Sequence, residues 1–260
     1  MQKNGLDFIK YEIKDDLETL FVPVILNFKD TIDHIIKHNL SVSRFGDGEF
    51  TLMQGGKICF QDQDKKLTKR LKEILTSPQN PGFLIGLPYS MCHSTSGKDE
   101  YTKSYDRMFW GKNTDYILSL IDKNKVYADT GFTILPDSKE KYDYIKQIWK
   151  DKDITIICGE RVFKNINHNV FECAKSIDYI YAPTVNAFSV YDDILAKAKT
   201  IDKNRLVIII LGPSATVLAY DLSNAGYQAL DMGHIAKSYD TFCKNHEITP
   251  EFLKKFFDKD

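Results

Sequence analysis

The chain has 260 residues, and its 35 Lys and Arg against 36 Asp and Glu give a formal net charge of -1. This balance argues against a nucleic-acid-binding protein, because neutralising a phosphate backbone requires a clustered excess of basic residues. With 43% hydrophobic and 27% charged residues, the chain is neither disordered nor of low complexity, and its length allows a sizeable buried core.

The first half of the chain is predicted to alternate helices and strands. Its helical segments carry apolar residues at helical spacing, and its strands are short apolar runs. The predicted helices are 25–38, 66–75, 108–121 and 142–149, and the predicted strands are 40–45 and 83–87. After the strand 40–45, the glycine-rich stretch 46–49 is predicted to be a turn.

The second half has a clearer pattern of strands and helices. Three apolar runs, each closed by Gly or Pro, are typical of strands buried on both faces. The predicted strands are 154–158, 179–182, 206–211 and 228–232, and the predicted helices are 192–199, 215–225 and the amphipathic 250–258. The last helix is expected to dock on the body of the protein.

This alternation predicts an α/β fold, with a Rossmann-like, mostly parallel sheet flanked by helices. We find no linker, no internal repeat and no break in composition, so we predict a single domain. Within it we distinguish an N-terminal extension (1–24), a core (25–239) and a C-terminal helical tail (240–260).

The first motif follows the predicted strand 40–45, where ligands of open α/β sheets bind. Asp47 and Glu49 are two residues apart, so in an extended or turning backbone both carboxylates can face one cavity. Two carboxylates and a divalent cation could neutralise a diphosphate, and the neighbouring arginine could bind its oxygens. A surface turn with two solvated acids is the simpler explanation of the spacing. The motif reads Arg44-Phe45-Gly46-Asp47-Gly48-Glu49.

A second motif lies at a strand-to-helix turn. Gly212 allows a tight fold of the backbone, Ser214 can cap the helix, and the N-terminus of a helix attracts anions. An ordinary helix start would look the same, and neither a Walker A loop nor GxGxxG is present. The motif reads Leu211-Gly212-Pro213-Ser214-Ala215-Thr216.

Two further strand ends carry polar residues. Asp231 lies at the end of the last predicted strand, where an acid often binds ribose hydroxyls, and His234 could donate to phosphate or act as acid or base. Glu160 and Arg161 follow another strand, and an ion pair between them is the plain alternative. The signatures of zinc peptidases, serine hydrolases and protein kinases are absent from the sequence.

Together and in this order, these motifs resemble the GT-D glycosyltransferases, a family once described as a domain of unknown function and found in bacterial adhesin-glycosylation and surface-polysaccharide clusters. The resemblance covers about 25–239. The segments that carry it are 44–49, 158–161, 211–216, 218–222 and 231–234. It implies a Rossmann-like fold distinct from the two common glycosyltransferase folds, a nucleotide-sugar donor and a metal-associated DxE motif.

From this resemblance we expect transfer of a hexose, with glucose as the expected sugar, from a UDP-sugar to a glycan acceptor in glycoprotein or surface-polysaccharide synthesis. Asp47 and Glu49 form the DxE motif and are the expected ligands of Mn²⁺ or Mg²⁺, with the alternative that only one of them contacts the ion. If the sugar centre inverts, Glu160 or Asp231 takes the proton of the acceptor hydroxyl. The expected donor-binding residues are Arg44, Phe45, Gly46, Gly48, Gly212, Pro213, Ser214, Thr216, Asp231 and His234.

Two other functions stay open at this point. The same carboxylates could serve a metal-dependent nucleotide or phosphoester hydrolase, and the chain could be a non-catalytic nucleotide-binding subunit of a transferase complex. Segment 88–105 is expected to form an acceptor flap. The donor-site prediction depends on the acidic pair and the Gly212-Pro213 corner opening into one cleft.

The expected environment follows from what the sequence lacks. Its N-terminal residues have no apolar signal-peptide region, and its apolar runs are too short to span a bilayer, so we expect a soluble, cytoplasmic protein. We expect no nucleic-acid partner, and a homo-oligomer is compatible with the sequence.

Overall fold

The computed structural model describes residues 9–11, 20–22, 24–89, 113 and 115–258, the first two segments by their backbone alone. An eight-stranded sheet forms its centre, and all the pairings in that sheet are parallel. Its strands are β3 (Val24–Ile25), β4 (Ser41–Arg44), β5 (Phe83–Leu87), β6 (Val126–Asp129), β7 (Asp153–Gly159), β8 (Ser176–Ala182), β9 (Leu206–Ile210) and β10 (Ala229–Asp231). The strand order is β3-β6-β5-β4-β10-β9-β7-β8. A separate antiparallel pair joins β1 (Ile9–Tyr11) to β2 (Leu20–Val22).

Helices cover both faces of this sheet, and an apolar cluster fills the space on each side. They are α1 (Phe28–His38), α2 (Asp47–Met53), α3 (Lys65–Thr76), α4 (Lys139–Lys146), α5 (Tyr191–Ala198), α6 (Pro213–Asn224), α7 (Ile235–Cys243) and α8 (Pro250–Phe256). Residues 115–120 are also helical, and short 3-10 turns cover Thr130–Thr133 and Ala187–Val190. The predicted α/β architecture with a mostly parallel sheet is confirmed.

Three expectations from the sequence are wrong. The stretch 46–49 is not a turn, because Asp47 begins α2 and the Glu49 carboxylate accepts a hydrogen bond from the Gly46 N–H at 2.7 Å, which caps the helix. Strand β8 is not buried on both faces, because it is the last strand of the sheet and Tyr181 is 53% exposed. The expected helix 25–38 also begins later, since Ile25 belongs to β3.

The segment expected to form an acceptor flap lies largely outside the described residues, as does the first part of the helix expected at 108–121. Helix α7, which was not predicted, runs across the position at which we separated core from tail. The last helix, α8, packs on the body through Phe256, which is 2% exposed, as its apolar face predicts. Within the described ranges, no helix has the length and apolar character needed to cross a membrane.

Candidate functional site

The site is built where two adjacent parallel strands end. Strands β4 and β10 pair through Val42 and Leu230, so Arg44 and Asp231 leave the sheet side by side at its carboxyl edge. The chain continues from β4 into α2 and from β10 into α7. This edge is the place at which open α/β sheets bind their ligands.

Thr216, in the first turns of α6, joins these two strand ends. Its Oγ1 lies 2.9 Å from the main-chain oxygen of Arg44 and 3.2 Å from Asp231 Oδ2. The N-terminus of α6 is therefore packed against the end of β4, from which α2 begins. The acidic motif and the Gly212-Pro213 corner therefore lie at the same edge of the sheet.

The Arg44 guanidinium is held in one orientation. Its Nε and Nη2 both donate to the main-chain oxygen of Thr130, at 3.1 and 2.9 Å, and its Nη1 lies 3.9 Å from Asp231 Oδ1. Gly233 makes room for this arrangement: it has φ +48°, and a Cβ there would be 1.6 Å from Arg44 Nη1. A cation fixed by packing in this way is suited to binding phosphate oxygens.

Two carboxyl groups next to this cation have raised pKa values. Burial, with a smaller contribution from the nearby negative charge of Asp231, raises the pKa of Glu49 to about 7. Burial likewise raises the pKa of Asp231 to about 6, although Arg44 and hydrogen bonds from the Gly233 N–H and Thr216 oppose the shift. Asp47 lies on the exposed side of α2.

The turn before α6 places small and polar groups beside this cluster. Gly212 has φ +52°, and a Cβ at this position would approach the Phe60 ring to 2.8 Å. Pro213 occupies the first turn of α6, where its missing N–H costs nothing. Ser214 is buried, and its hydroxyl has no hydrogen-bond partner in the part of the chain that the structure describes.

His234 precedes α7 and lies in an aromatic environment. Its ring centroid is 6.5 Å from that of Phe60, 5.6 Å from that of Phe256 and 5.5 Å from that of Phe257. The C-terminal helix thus reaches the edge of the site through this histidine.

Several predicted site residues are placed differently from the expectation. Phe45 is fully buried, with its ring 6.2 Å from that of Phe50, so its side chain belongs to the core and does not line the site. Gly46 and Gly48 lie at the start of α2, where a Cβ on Gly48 would meet Ile58 at 3.4 Å. Glu160 follows β7, which is two strands from β10, or roughly 10 Å, so the structure does not bring it to the carboxyl pair.

Three residues of this site were not predicted from the sequence: Thr130, Gly233 and Phe60. Thr130 follows β6, a short strand that we did not predict, so its position at the carboxyl edge was not visible. Gly233 lies inside the quoted motif 231–234, and only its contact with Arg44 shows why a glycine is needed there. Phe60 belongs to an irregular segment, and no sequence signal indicates its role.

A family model, described as the glycosyltransferase GT-D fold, matches residues 42–258. The chain belongs to the GT-D glycosyltransferase family. The match covers both strands and the helix that form the site.

Relatives of this GT-D chain carry the same assignment. Glycosyltransferase GlyD of Streptococcus pneumoniae is 29% identical over 245 residues, which cover 90% of this chain and 30% of that protein. A relative from Streptococcus gordonii, named "Probable glycosyl transferase Gly", is 32% identical over 84% of this chain and 33% of its own length. The chain therefore spans about a third of the length of the curated relatives that it matches.

Solved structures of GT-D proteins superpose on the chain. One, reported as showing that the domain of unknown function 1792 has a distinct glycosyltransferase fold, has a TM-score of 0.80 at 30% identity and covers 92% of this chain and 91% of its own. A second, a glycosyltransferase of the same domain family from Streptococcus sanguinis, has a TM-score of 0.80 at 27% identity over 91% and 94% of the two chains. The chain therefore shares the fold of these glycosyltransferases.

The DxE motif of this GT-D chain could supply at most part of the ligands that a metal ion needs. In the described residues, no group of three or more His, Cys, Asp or Glu side chains is arranged to hold an ion. Asp47 and Glu49 lie in the first turn of a helix, where side chains two positions apart point roughly 200° apart. These oxygen ligands suit a hard cation. One carboxylate would contact the ion directly, and substrate phosphates and water would complete its coordination shell.

Proposed function

We propose that this glycosyltransferase transfers a hexose, glucose in our proposal, from a UDP-sugar to a glycan acceptor in bacterial glycoprotein or surface-polysaccharide synthesis, in the cytoplasm. The observation that carries this proposal is the convergence of the Arg44 guanidinium, the start of α6, the buried Asp231 carboxyl and the half-buried Glu49 carboxyl near the ends of β4 and β10. A nucleoside diphosphate needs such a combination of a cation, oriented N–H groups and acids.

The donor diphosphate would lie against the start of α6. The buried Ser214 hydroxyl, which lacks a partner among the described residues, would donate to a phosphate oxygen, and the first N–H groups of the helix would face the same charge. Arg44 would bind the diphosphate from the side of β4. These contacts stabilise the negative charge that grows on the leaving oxygen as the bond from the anomeric carbon breaks.

We propose Glu49 as the carboxylate that contacts a divalent ion, Mn²⁺ or Mg²⁺. Support comes from its raised pKa, which reflects burial beside Asp231 and which a neighbouring cation would relieve. Asp47, on the exposed side of the same turn, would face the ion's waters or the donor hydroxyls. The ion supplies Lewis-acid neutralisation of the diphosphate when bound.

The acceptor hydroxyl must lose its proton as its oxygen bonds to the anomeric carbon. Of the two carboxylates expected to take that proton, Asp231 is the one that lies at the cluster, and its pKa of about 6 suits a base near neutral pH. Glu160 is separated from the cluster by the width of two strands. We therefore propose Asp231 for this role.

Donor binding and turnover test the proposal in separate steps. A panel of nucleotide sugars is screened for thermal stabilisation, and we expect UDP-glucose to raise the melting temperature most. UDP release is then measured with and without glycan acceptors, in the presence of Mn²⁺, Mg²⁺ or EDTA. Glu49→Gln and Asp47→Asn are compared for metal affinity and rate, and Asp231→Asn is compared with the wild type for the rate at saturating donor. Normal turnover in EDTA, or in both Asp47→Ala and Glu49→Ala, contradicts the metal assignment.

The same measurements separate the other two functions. UDP or sugar release that does not depend on an acceptor would indicate a hydrolase, and tight UDP binding without turnover against any acceptor would indicate a non-catalytic subunit.

A further inference from the structure

Strand β8 presents two tyrosine rings to solvent at the edge of the sheet. Tyr179 and Tyr181 are 36% and 53% exposed, and their rings lie parallel, with an interplanar angle of 4° and centroids 5.7 Å apart. Phe163 packs edge-on against Tyr179 at 5.6 Å. A row of three aromatic rings thus runs from Phe163 through Tyr179 to Tyr181. In the described part of the chain, Tyr179 is the only ring that packs against Tyr181.

The register of the sheet places Tyr181 level with the donor site. Tyr181 pairs with Cys158 on β7, and Cys158 pairs with Ile210 on β9, one residue beyond the Ile209 that pairs with Asp231. Tyr181 lies four strands from β4, which at roughly 4.8 Å a strand is about 19 Å. An oligosaccharide, rather than a single sugar, would span that distance.

Glu160 is a polar residue close to Tyr181 in the register of the sheet. It directly follows β7, two residues after the Cys158 that pairs with Tyr181, and it is exposed. Its main-chain N–H donates to the main-chain oxygen of Ala182, the residue after Tyr181. An exposed aromatic ring with a carboxylate nearby is a combination that binds a pyranose, because the ring stacks on the sugar C–H groups and the carboxylate accepts hydroxyl hydrogens.

We infer that Tyr181 and Glu160 form a subsite for a pyranose ring of the acceptor glycan, distant from the reacting end. This inference rests on the proposed transfer to a glycan acceptor and gives that acceptor a minimum length of several sugars. The location favours a glycan over a protein partner, because the ring and the carboxylate lie at the same carboxyl edge as the donor cluster. Glu160 becomes an acceptor-binding residue here and has no role in proton transfer.

The test uses the whole chain labelled with 3-fluorotyrosine and four defined probes: cellotetraose, maltotetraose, laminaritetraose and chitotetraose. The chain has 14 tyrosines, and the fluorine resonance that disappears in Tyr181→Phe is assigned to Tyr181. We expect at least one tetrasaccharide to shift that resonance. Binding by the variants is measured by calorimetry, because variants at position 181 lack that resonance, and Tyr181→Ala should weaken binding of this tetrasaccharide between about twofold and tenfold, as expected for loss of one aromatic contact. Tyr181→Phe, which keeps the ring, should bind nearly as well as the wild type.

Glu160→Gln should weaken the same binding, and Asp178→Asn is its matched control. Asp178 is exposed on the opposite face of β8, where it pairs with Arg205. The inference is overturned if none of the four tetrasaccharides shifts the Tyr181 resonance, if Tyr181→Ala binds as tightly as Asp178→Asn, or if the resonance shifts with protein concentration alone, which would assign the surface to a second copy.

Donor binding is read separately, by stabilisation with UDP-glucose. If UDP-glucose does not stabilise the wild type but the Tyr181 resonance responds to sugar, the proposed donor is wrong and the subsite stands. If donor binding and turnover are normal and the resonance does not respond, the subsite alone is wrong.

Discussion

The Thr216 hydroxyl lies 2.9 Å from the main-chain oxygen of Arg44, although 172 residues separate the two in the chain. The same hydroxyl is 3.2 Å from Asp231 Oδ2. One side chain thus fixes the distance between the start of α6 and the ends of β4 and β10, which together form the proposed donor site.

Thr216→Val should separate these elements. Valine has nearly the same shape but cannot hydrogen-bond, so the buried oxygens of Arg44 and Asp231 lose a partner, at a cost of about 1–3 kcal/mol. We expect a lower melting temperature and weaker stabilisation by UDP-glucose, both measured by thermal shift. Thr216→Ser keeps the hydroxyl and should retain most of the donor affinity. Equal donor affinity in the two variants would show that this bond does not shape the site.

Gly233→Ala should displace the Arg44 guanidinium. A Cβ at this position would be 1.6 Å from Arg44 Nη1, and the guanidinium is the part that can move away. We expect a large loss of UDP-glucose affinity, measured by calorimetry. Gly55→Ala is the matched control, since Gly55 also has a positive φ, +85°, but has nothing within 4 Å of the added Cβ. A similar affinity in both variants would contradict the assignment of Arg44 to the phosphates.

The metal-free protein should lose stability as the pH rises through the pKa of Glu49. An unfolded glutamate has a pKa near 4.3, and burial raises that of Glu49 to about 7, so the folded chain binds more protons between these values. The free energy of unfolding should therefore fall from about pH 4.5 to 7, by at most about 1.4 kcal/mol per pH unit for this group.

Glu49→Gln should reduce that fall, because glutamine does not titrate and can still accept the Gly46 N–H. Urea unfolding at several pH values in EDTA measures the effect, and Glu251→Gln on α8 controls for the loss of one negative charge. Parallel curves for the wild type and Glu49→Gln would rule out a buried, titrating Glu49.

Phe256→Ala should loosen the C-terminal helix. Phe256 is 2% exposed and packs against His234, so its removal should cost about 3 kcal/mol, whereas the 40% exposed Phe257 should cost much less. Limited proteolysis and urea unfolding should distinguish Phe256→Ala from Phe257→Ala. Equal effects of the two substitutions would mean that α8 is not anchored through Phe256.

The positions of the strand ends in the second half could be predicted well from the sequence, because buried parallel strands consist of unbroken apolar runs such as 206–211. The start of α2 could not, because Gly-Asp-Gly-Glu is also typical of a turn, and it is the Glu49 carboxylate folding back on Gly46 that makes it a helix. The Arg44–Thr130 contact could not be predicted either, because it joins the ends of two strands that are far apart in the sequence. Local signals specify the elements, and long-range contacts specify the site.

The pairing of Val42 with Leu230 has a consequence for biosynthesis. Strand β4 leaves the ribosome early, but its neighbour β10 is the last of the strands to be synthesised. The edge of β4 that pairs with β10 therefore has unpaired backbone N–H and C=O groups while β5 to β9 are made. Pairing across so long a loop is slow, and the growing chain is vulnerable to aggregation until it is complete. Any truncation before β10 should therefore be recovered as insoluble material and not as a smaller, partly active enzyme.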